Sequence, residues 1–338
     1  MTLGRRLHDF DEDDVRVRPG RRGSRPRTRR RPAHEEAVTG MVLAVDRGRY
    51  RCLVDDRAVT AMRARELGRK GVVVGDQVSL VGDTSGEADT LARIVRVQPR
   101  SSALRRTADD TDPLERIIVA NADQLVIVTA LADPQPRPRM IDRCLVAAFD
   151  AGLDPLLCLT KADLATPDEL VAAYDPLGVP YLVTLRGGPL DELRGRLAGR
   201  MSVLVGHSGV GKSTLVNALV PDAARAVSHV NPVTGRGRHT SSSAIALPLP
   251  PADLGRTANG GWIIDTPGIR SFGLAHVDPA NLVGAFPDLA EGAAECPRAC
   301  THLQPDCALD AWVTAGHADG ARLDSLRRLL ESREGEAD

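Results

Sequence analysis

Residues 201–214 read MSVLVGHSGVGKST, an apolar run that breaks into a glycine-rich turn and then continues as a helix. The turn has the form G-x-x-x-x-G-K-S, running from Gly206 through His207, Ser208, Gly209, Val210 and Gly211 to Lys212 and Ser213, with Thr214 next. In this pattern backbone N–H groups cradle phosphates, the lysine reaches the β and γ oxygens, and the hydroxyl takes a Mg²⁺ position. A strand before the turn and a helix after it are the context that separates it from a chance match.

Two shorter motifs accompany the turn in an unusual order. Thr160-Lys161-Ala162-Asp163 precedes it, and Asp265-Thr266-Pro267-Gly268 follows it. The later motif offers a metal-side carboxylate at Asp265 and a glycine, Gly268, whose amide can sense a γ-phosphate. The earlier one reads as a guanine reader. The Asp163 carboxylate can accept from both the ring N–H and the exocyclic amine of guanine, a donor pair that adenine lacks. Thr160 stands where asparagine is more usual, yet keeps a hydroxyl that can tie its loop to the glycine turn. Thr184-Leu185 falls where a second base-contacting loop belongs. In an ordinary small GTPase the base reader comes last, so this order marks a circular permutation.

Lysine usage agrees with that reading. The chain has 41 arginines and three lysines, Lys70, Lys161 and Lys212, so two of the three sit inside these motifs. A compact ammonium fits between phosphate oxygens, and a four-carbon stem can lie along a base; a planar guanidinium does neither in the same volume.

With 338 residues the chain has room for two or three domains. Its net charge of −1 conceals five acids in residues 9–14 and nine arginines without an acid in residues 15–31. Residues 1–35 therefore read as a disordered Arg-rich tail, suited to phosphate backbones. No charged leader or long apolar run is present, which excludes a membrane span and predicts a cytoplasmic protein.

Residues 36–98 carry five short β-type runs, at 38–45, 51–54, 58–62, 77–81 and 91–97, as expected for an OB-fold barrel. Tyr50 is its sole aromatic residue, which favours backbone contact over base stacking if the barrel meets RNA. Residues 99–114, with Arg100, Arg105 and Arg106, read as a linker. Strands and helices then alternate over 115–275, the pattern of a parallel α/β sheet with its binding loops at strand C-termini. Residues 276–338 read as mainly helical, with Leu323, Leu326 and Leu330 on one helical face.

Between the glycine turn and Asp265 lies a Gly- and hydroxyl-rich stretch from Asn231 to Ser243 that suits a switch loop. Thr240 is its candidate Mg²⁺ and γ-phosphate contact, with Ser241 as the fallback. Ile269 occupies the place of the usual water-orienting glutamine, so intrinsic hydrolysis is expected to be slow, and His239 is the candidate to orient the attacking water. A solvent-facing loop histidine is the competing view. Cys296, Cys300, His302 and Cys307 put three thiols and an imidazole within twelve residues. Cys₃His is a closed tetrahedral set that suits one structural zinc ion. Cys52, Cys144 and Cys158 are scattered among apolar neighbours and read as buried thiols.

The expected fold is thus multidomain: an N-terminal OB-type β-barrel, a central circularly permuted α/β P-loop GTPase and a C-terminal, mainly helical zinc-binding domain. Over about residues 36 to 330 this chain resembles the RsgA family of small-subunit-dependent, circularly permuted GTPases. The resemblance rests on the barrel, TKAD, GHSGVGKST, GRHTS, DTPGIRSFGL and the Cys-Cys-His-Cys segment, in that order. It implies GTP hydrolysis stimulated by the 30S ribosomal subunit, a role in late small-subunit maturation, and 16S rRNA contacts through the barrel and zinc domains, by a monomer. The spacing here, C-x₃-C-x-H-x₄-C, is one residue tighter in two gaps than the family pattern. The alternatives are a nucleotide-gated RNA-binding or scaffold protein with incidental hydrolysis, and an ATPase using the same P-loop.

Overall fold

The computed structural model describes residues 34–67, 71–107, 115–221, 244–250, 260–266, 272, 274 and 277–334. The tail up to residue 33, together with Lys70, His239, Thr240, Ser241, Gly268 and Ile269, lies outside the described residues. Strands β1 (Val38–Asp46), β2 (Arg49–Val54), β3 (Arg57–Arg63), β4 (Gln77–Gly82) and β5 (Ala92–Val97) match the five β-type runs. Strand β1 pairs with both β2 and β4, and β5 joins β3 to β4, so the sheet closes on itself in the order β1-β2-β3-β5-β4. Alternate residues point inward, and Val42, Cys52, Val59, Val78, Leu80 and Ile94 fill the interior. Tyr50 is buried with them, so its ring is not available for base stacking.

The described part of the segment expected to be a linker, 99–107, is structured. It carries β6 (Ala103–Thr107), which pairs antiparallel with β7 (Glu115–Ala120). Leu104 lies opposite Val119, and both are buried, so one cross-strand apolar pair overrides the polar composition that suggested a linker. The arm also fastens the barrel: Ala120 N–H donates to Val74 O at 2.9 Å and Asn121 Nδ2 to Gly75 O at 2.9 Å. Gly75 has φ 88°, and a Cβ there would collide with the Ala120 carbonyl oxygen, so the close approach requires glycine.

Beyond the arm come β8 (Gln124–Ala130), β9 (Asp154–Thr160), β10 (Tyr181–Val183), β11 (Met201–Val205), β12 (Ile245–Pro248) and β13 (Trp262–Asp265). They lie in the order β10-β9-β8-β11-β13-β12, parallel except for β12. Counted from β11 as the first strand, with β8 following β13, that order becomes 6-5-4-1-3-2. The sheet is therefore that of an uninterrupted GTPase, with the chain cut ahead of β8. Helices α1 (Pro138–Asp150), α2 (Asp168–Tyr174), α3 (Asp191–Leu197) and α4 (Lys212–Leu219) flank it. Alternation sorts the strands' side chains onto two faces: Leu125, Leu157 and Val203 pack with α1, whereas Val126, Leu156 and Leu204 pack with α3 and α4.

The barrel and this sheet are continuous. The pairing register of β1 shifts between Val42 and Ala44, a break that bends the strand, and Ala44 lies opposite Ile245 of β12. Helices α5 (Pro279–Gly284), α6 (Pro287–Ala293), α7 (Ala308–Thr314) and α8 (Gly320–Glu334) cover the α1 face. Leu323, Leu326 and Leu330 are buried in the same core cluster as α1, which explains the leucine stripe. Among the described residues no helix is long and apolar enough to cross a membrane.

At the barrel's base, Asp76 is fully buried and accepts a forked pair of bonds from Arg100, 2.6 Å from Nε and 2.8 Å from Nη2, plus the Val73 N–H at 2.8 Å. Removing one partner strands the other, so Asp76→Asn should cost about 3 kcal/mol, read as a lower urea midpoint at unchanged slope.

Candidate functional site

The three motifs follow β9, β11 and β13, parallel strands of one sheet whose C-terminal ends face the same way, with β8 between β9 and β11. Thr160 closes β9, and its Oγ1 donates to the Val210 carbonyl of the glycine turn at 2.6 Å. That bond joins the TKAD loop to the glycine turn across fifty residues of sequence. Lys161 adopts φ 61°, and its Nζ donates to the Asp133 carbonyl in the loop after β8. Thr184, buried, donates its N–H to Leu159 O at 2.7 Å and accepts the Ala162 N–H at 3.3 Å. The Thr184-Leu185 segment therefore lies directly beside the TKAD loop. Asp163 is exposed, with its carboxylate open to a ligand.

In the glycine turn, Gly206 is packed so closely on the Val128 carbonyl that a Cβ would clash, and Gly211 takes φ 92° as the chain enters α4. Ser208, Gly209, Ser213 and Thr214 face solvent, whereas Val210 is buried as the anchor. Lys212 Nζ donates to Asp265 Oδ1, and Thr266 Oγ1 donates to Leu204 O at 2.7 Å. Lys212 of the glycine turn and Asp265 at the end of β13 are thus within one hydrogen bond of each other. The loop carrying Asp133 and Pro134 also touches the site, with Pro134 beside Gly209. Sequence reasoning missed it, and the Pro-rich run at 134–138 was its only signal.

His207 is buried, and its Nδ1 lies 2.9 Å from Ser208 O. Burial holds its pKa below the ordinary 6.5; the Ser208 contact opposes this, and the positive charges of Arg137 and Lys161 add to it. The fold therefore favours the neutral ring, so its contribution to stability is complete above pH 6.5 and is lost as the pH falls below that value. His207→Gln should flatten this acid limb, measured as thermal midpoint against pH; an unchanged slope would contradict the assignment.

Cys296, Cys300, His302 and Cys307 converge so that their four ligand atoms lie within 4.8 Å of one another. Cys296 Sγ and Cys307 Sγ are 3.8 Å apart, and each is 3.6 Å from His302 Nδ1. With metal–ligand bonds of about 2.3 Å to sulfur and 2.0–2.1 Å to nitrogen, a tetrahedral zinc site has ligand separations of roughly 3.5–3.8 Å, so the cluster fits that ion. Two residues of this segment are left-handed, Ala299 at φ 63° and His302 at φ 61°. Burial lowers the His302 pKa, with Arg327 adding to it, which favours the neutral imidazole a metal requires.

The family model of the RsgA GTPase matches residues 97–275. The small ribosomal subunit biogenesis GTPase RsgA of Pseudomonas aeruginosa is 40% identical over 271 residues, covering 77% of this chain and 76% of the relative. The protein of the same name from Gemmatimonas aurantiaca is 35% identical over 308 residues, covering 87% of this chain and 97% of the relative. Among solved structures, YjeQ from Thermotoga maritima is similar with a TM-score of 0.64 and 24% identity, covering 89% of this chain and all of that one. YloQ, described as a circularly permuted GTPase, is similar with a TM-score of 0.60 and 22% identity, covering 89% of this chain and 96% of that one. These two likenesses concern the fold. The match across more than half of the sequence, together with relatives at this identity and coverage, gives the assignment: this chain belongs to the RsgA GTPase family.

Proposed function

We propose that this protein binds the small ribosomal subunit and hydrolyses GTP on it, acting in late maturation of that subunit as a cytoplasmic monomer. The observation that carries the reading is the Thr160–Val210 bond, which ties the TKAD loop to the glycine turn despite the permuted order. The names of the relatives supply the ribosomal context.

In this reading Asp163 accepts both guanine donors, Lys161 lies along the base, and Thr160 and Ala162 hold the loop. Amides from Gly206 through His207, Ser208, Gly209, Val210 and Gly211 to Lys212 cradle the phosphates, and Thr214 continues into α4. Ser213 and Thr240 would hold Mg²⁺, with Asp265 beside it and Gly268 sensing the γ-phosphate. Bound Mg²⁺ would neutralise charge developing on the phosphate oxygens. His239 orients the attacking water in place of the glutamine that Ile269 replaces, and a slow resting rate leaves room for activation by the subunit. Cys296, Cys300, His302 and Cys307 would hold one zinc ion with no open position, a structural role. Exposed Arg47, Arg49, Arg65, Arg93 and Arg96 on the barrel support contact with the 16S rRNA backbone.

Steady-state hydrolysis of GTP and ATP, with and without purified 30S subunits at matched salt, tests the proposal. Strong stimulation confined to GTP is expected. GTP binding without stimulation would favour a nucleotide-gated scaffold, and ATP preference would overturn the base-reader assignment. Lys212→Ala should abolish nucleotide binding, whereas His239→Ala should spare binding and lower stimulated turnover by about 10²-fold or more.

A further inference from the structure

Three arginines of helix α8, Arg322, Arg327 and Arg328, have distinct tasks. Arg322 makes a forked pair to Asp288 at 2.7 and 2.9 Å and donates to Pro176 O at 2.8 Å, while Arg328 lies over the Tyr174 ring and 3.3 Å from Asp142. Both fasten the helix to the α/β layer. Arg327 instead faces the Cys/His loop. Its Nε donates to the His302 carbonyl at 2.9 Å, and its two terminal nitrogens donate to the two Asp310 oxygens at 2.9 and 2.7 Å. Asp310 stands in the first turn of α7, directly after Cys307, and its N–H donates to Cys307 O at 3.2 Å. One guanidinium therefore grips both ligand-bearing segments, the one that ends at His302 and the one that begins at Cys307.

We infer that Arg327 is a positioning residue of the metal centre, setting the relative placement of His302 and Cys307 before an ion arrives. The inference rests on the zinc reading above. The loop is short, and His302 is held at φ 61°, a conformation that a non-glycine residue keeps only when its surroundings enforce it. Arg327 supplies that enforcement at the carbonyl of the strained residue itself. Its planar fork is needed for the task, since three nitrogens in fixed directions reach three acceptors, and a lysine ammonium is too compact to span them. Asp310 and Arg327 are both partly exposed, with side chains 46% and 24% accessible, so the clamp acts through geometry more than through ion-pair energy. Outer partners of this kind orient ligands and commonly govern metal affinity over roughly 10- to 100-fold.

The test uses the full-length protein stripped of metal and titrated with Co²⁺, followed by Zn²⁺ competition against a chelator. Wild type should bind one equivalent of Co²⁺, with thiolate-to-cobalt charge-transfer bands and intense tetrahedral d–d bands. Arg327→Gln should hold zinc roughly 10- to 100-fold more weakly and shift the cobalt bands, with far-ultraviolet dichroism unchanged. Arg327→Lys should also weaken binding, and it carries the comparison if the glutamine variant does not fold. Arg322→Gln removes an equivalent ion pair from the same helix; it should lower the thermal midpoint but keep the wild-type zinc affinity and cobalt spectrum. Wild-type affinity and spectrum in the Arg327 variants would overturn the inference, as would equal weakening by Arg322→Gln. Absence of cobalt–thiolate bands in wild type would overturn the zinc reading itself, and the inference with it.

Discussion

The parallel ladder between β8 and β11 holds together what the permutation separates in sequence. It runs from Gln124 opposite Ser202 to Ile127 opposite Val205, with the buried side chains of Gln124 and Ser202 bonded at its base at 3.2 Å. In an uninterrupted GTPase the chain would reach the strand equivalent to β8 from β13; here the ladder and the packing on both faces place β8 beside β11. Because both strands are buried on two faces, a slip of one residue would turn apolar side chains toward the wrong core cluster, which fixes the register. With the register fixed, the ends of β9, β11 and β13 come level, and Thr160 reaches Val210. The site follows from that alignment.

The same sheet ties the site to its surroundings on two sides. On one side, β12 lies between β13 and the barrel's β1, so the stretch read as the switch loop leads directly into a strand shared with the barrel. On the other, buried Arg143 of α1 donates to Phe272 O at 2.5 Å, seven residues beyond Asp265, and to Ser332 O of α8 at 3.4 Å. Helix α8 in turn grips the Cys/His loop through Arg327. A packed interior switches between discrete arrangements more readily than it deforms. Paired strands and hydrogen bonds thus connect β13 to the barrel through β12, and Phe272 to the Cys/His loop through Arg143 and α8.

Most of the framework was legible in the sequence for identifiable reasons. The strands leading into the loops are mainly apolar runs that end at glycine or a motif residue, which is why the alternation over 115–275 could be read. The Cys₃His cluster was legible because its ligands are close in sequence. What escaped depended on long-range partners. Strand β6 looked like a polar linker because its only buried apolar residue is Leu104, whose partner Val119 lies in the next strand. Helix α2 went unread, although Asp168 and Glu169 in its first turn were a start signal. Arg143 and Arg327 were two among 41 arginines, and their roles depend on carbonyl groups that no pattern of spacing reveals.

If loops in permuted order build one guanine site, a change of base preference is its most specific readout. Xanthine carries a carbonyl where guanine carries its exocyclic amine, so an amide N–H at position 163 would suit xanthine and a carboxylate suits guanine. Equilibrium binding of GDP and xanthosine diphosphate should be compared in wild type and Asp163→Asn. Wild type should hold GDP and reject the xanthine nucleotide, and the variant should reverse the preference. An Asp163→Asn protein that binds GDP as tightly as wild type would contradict it.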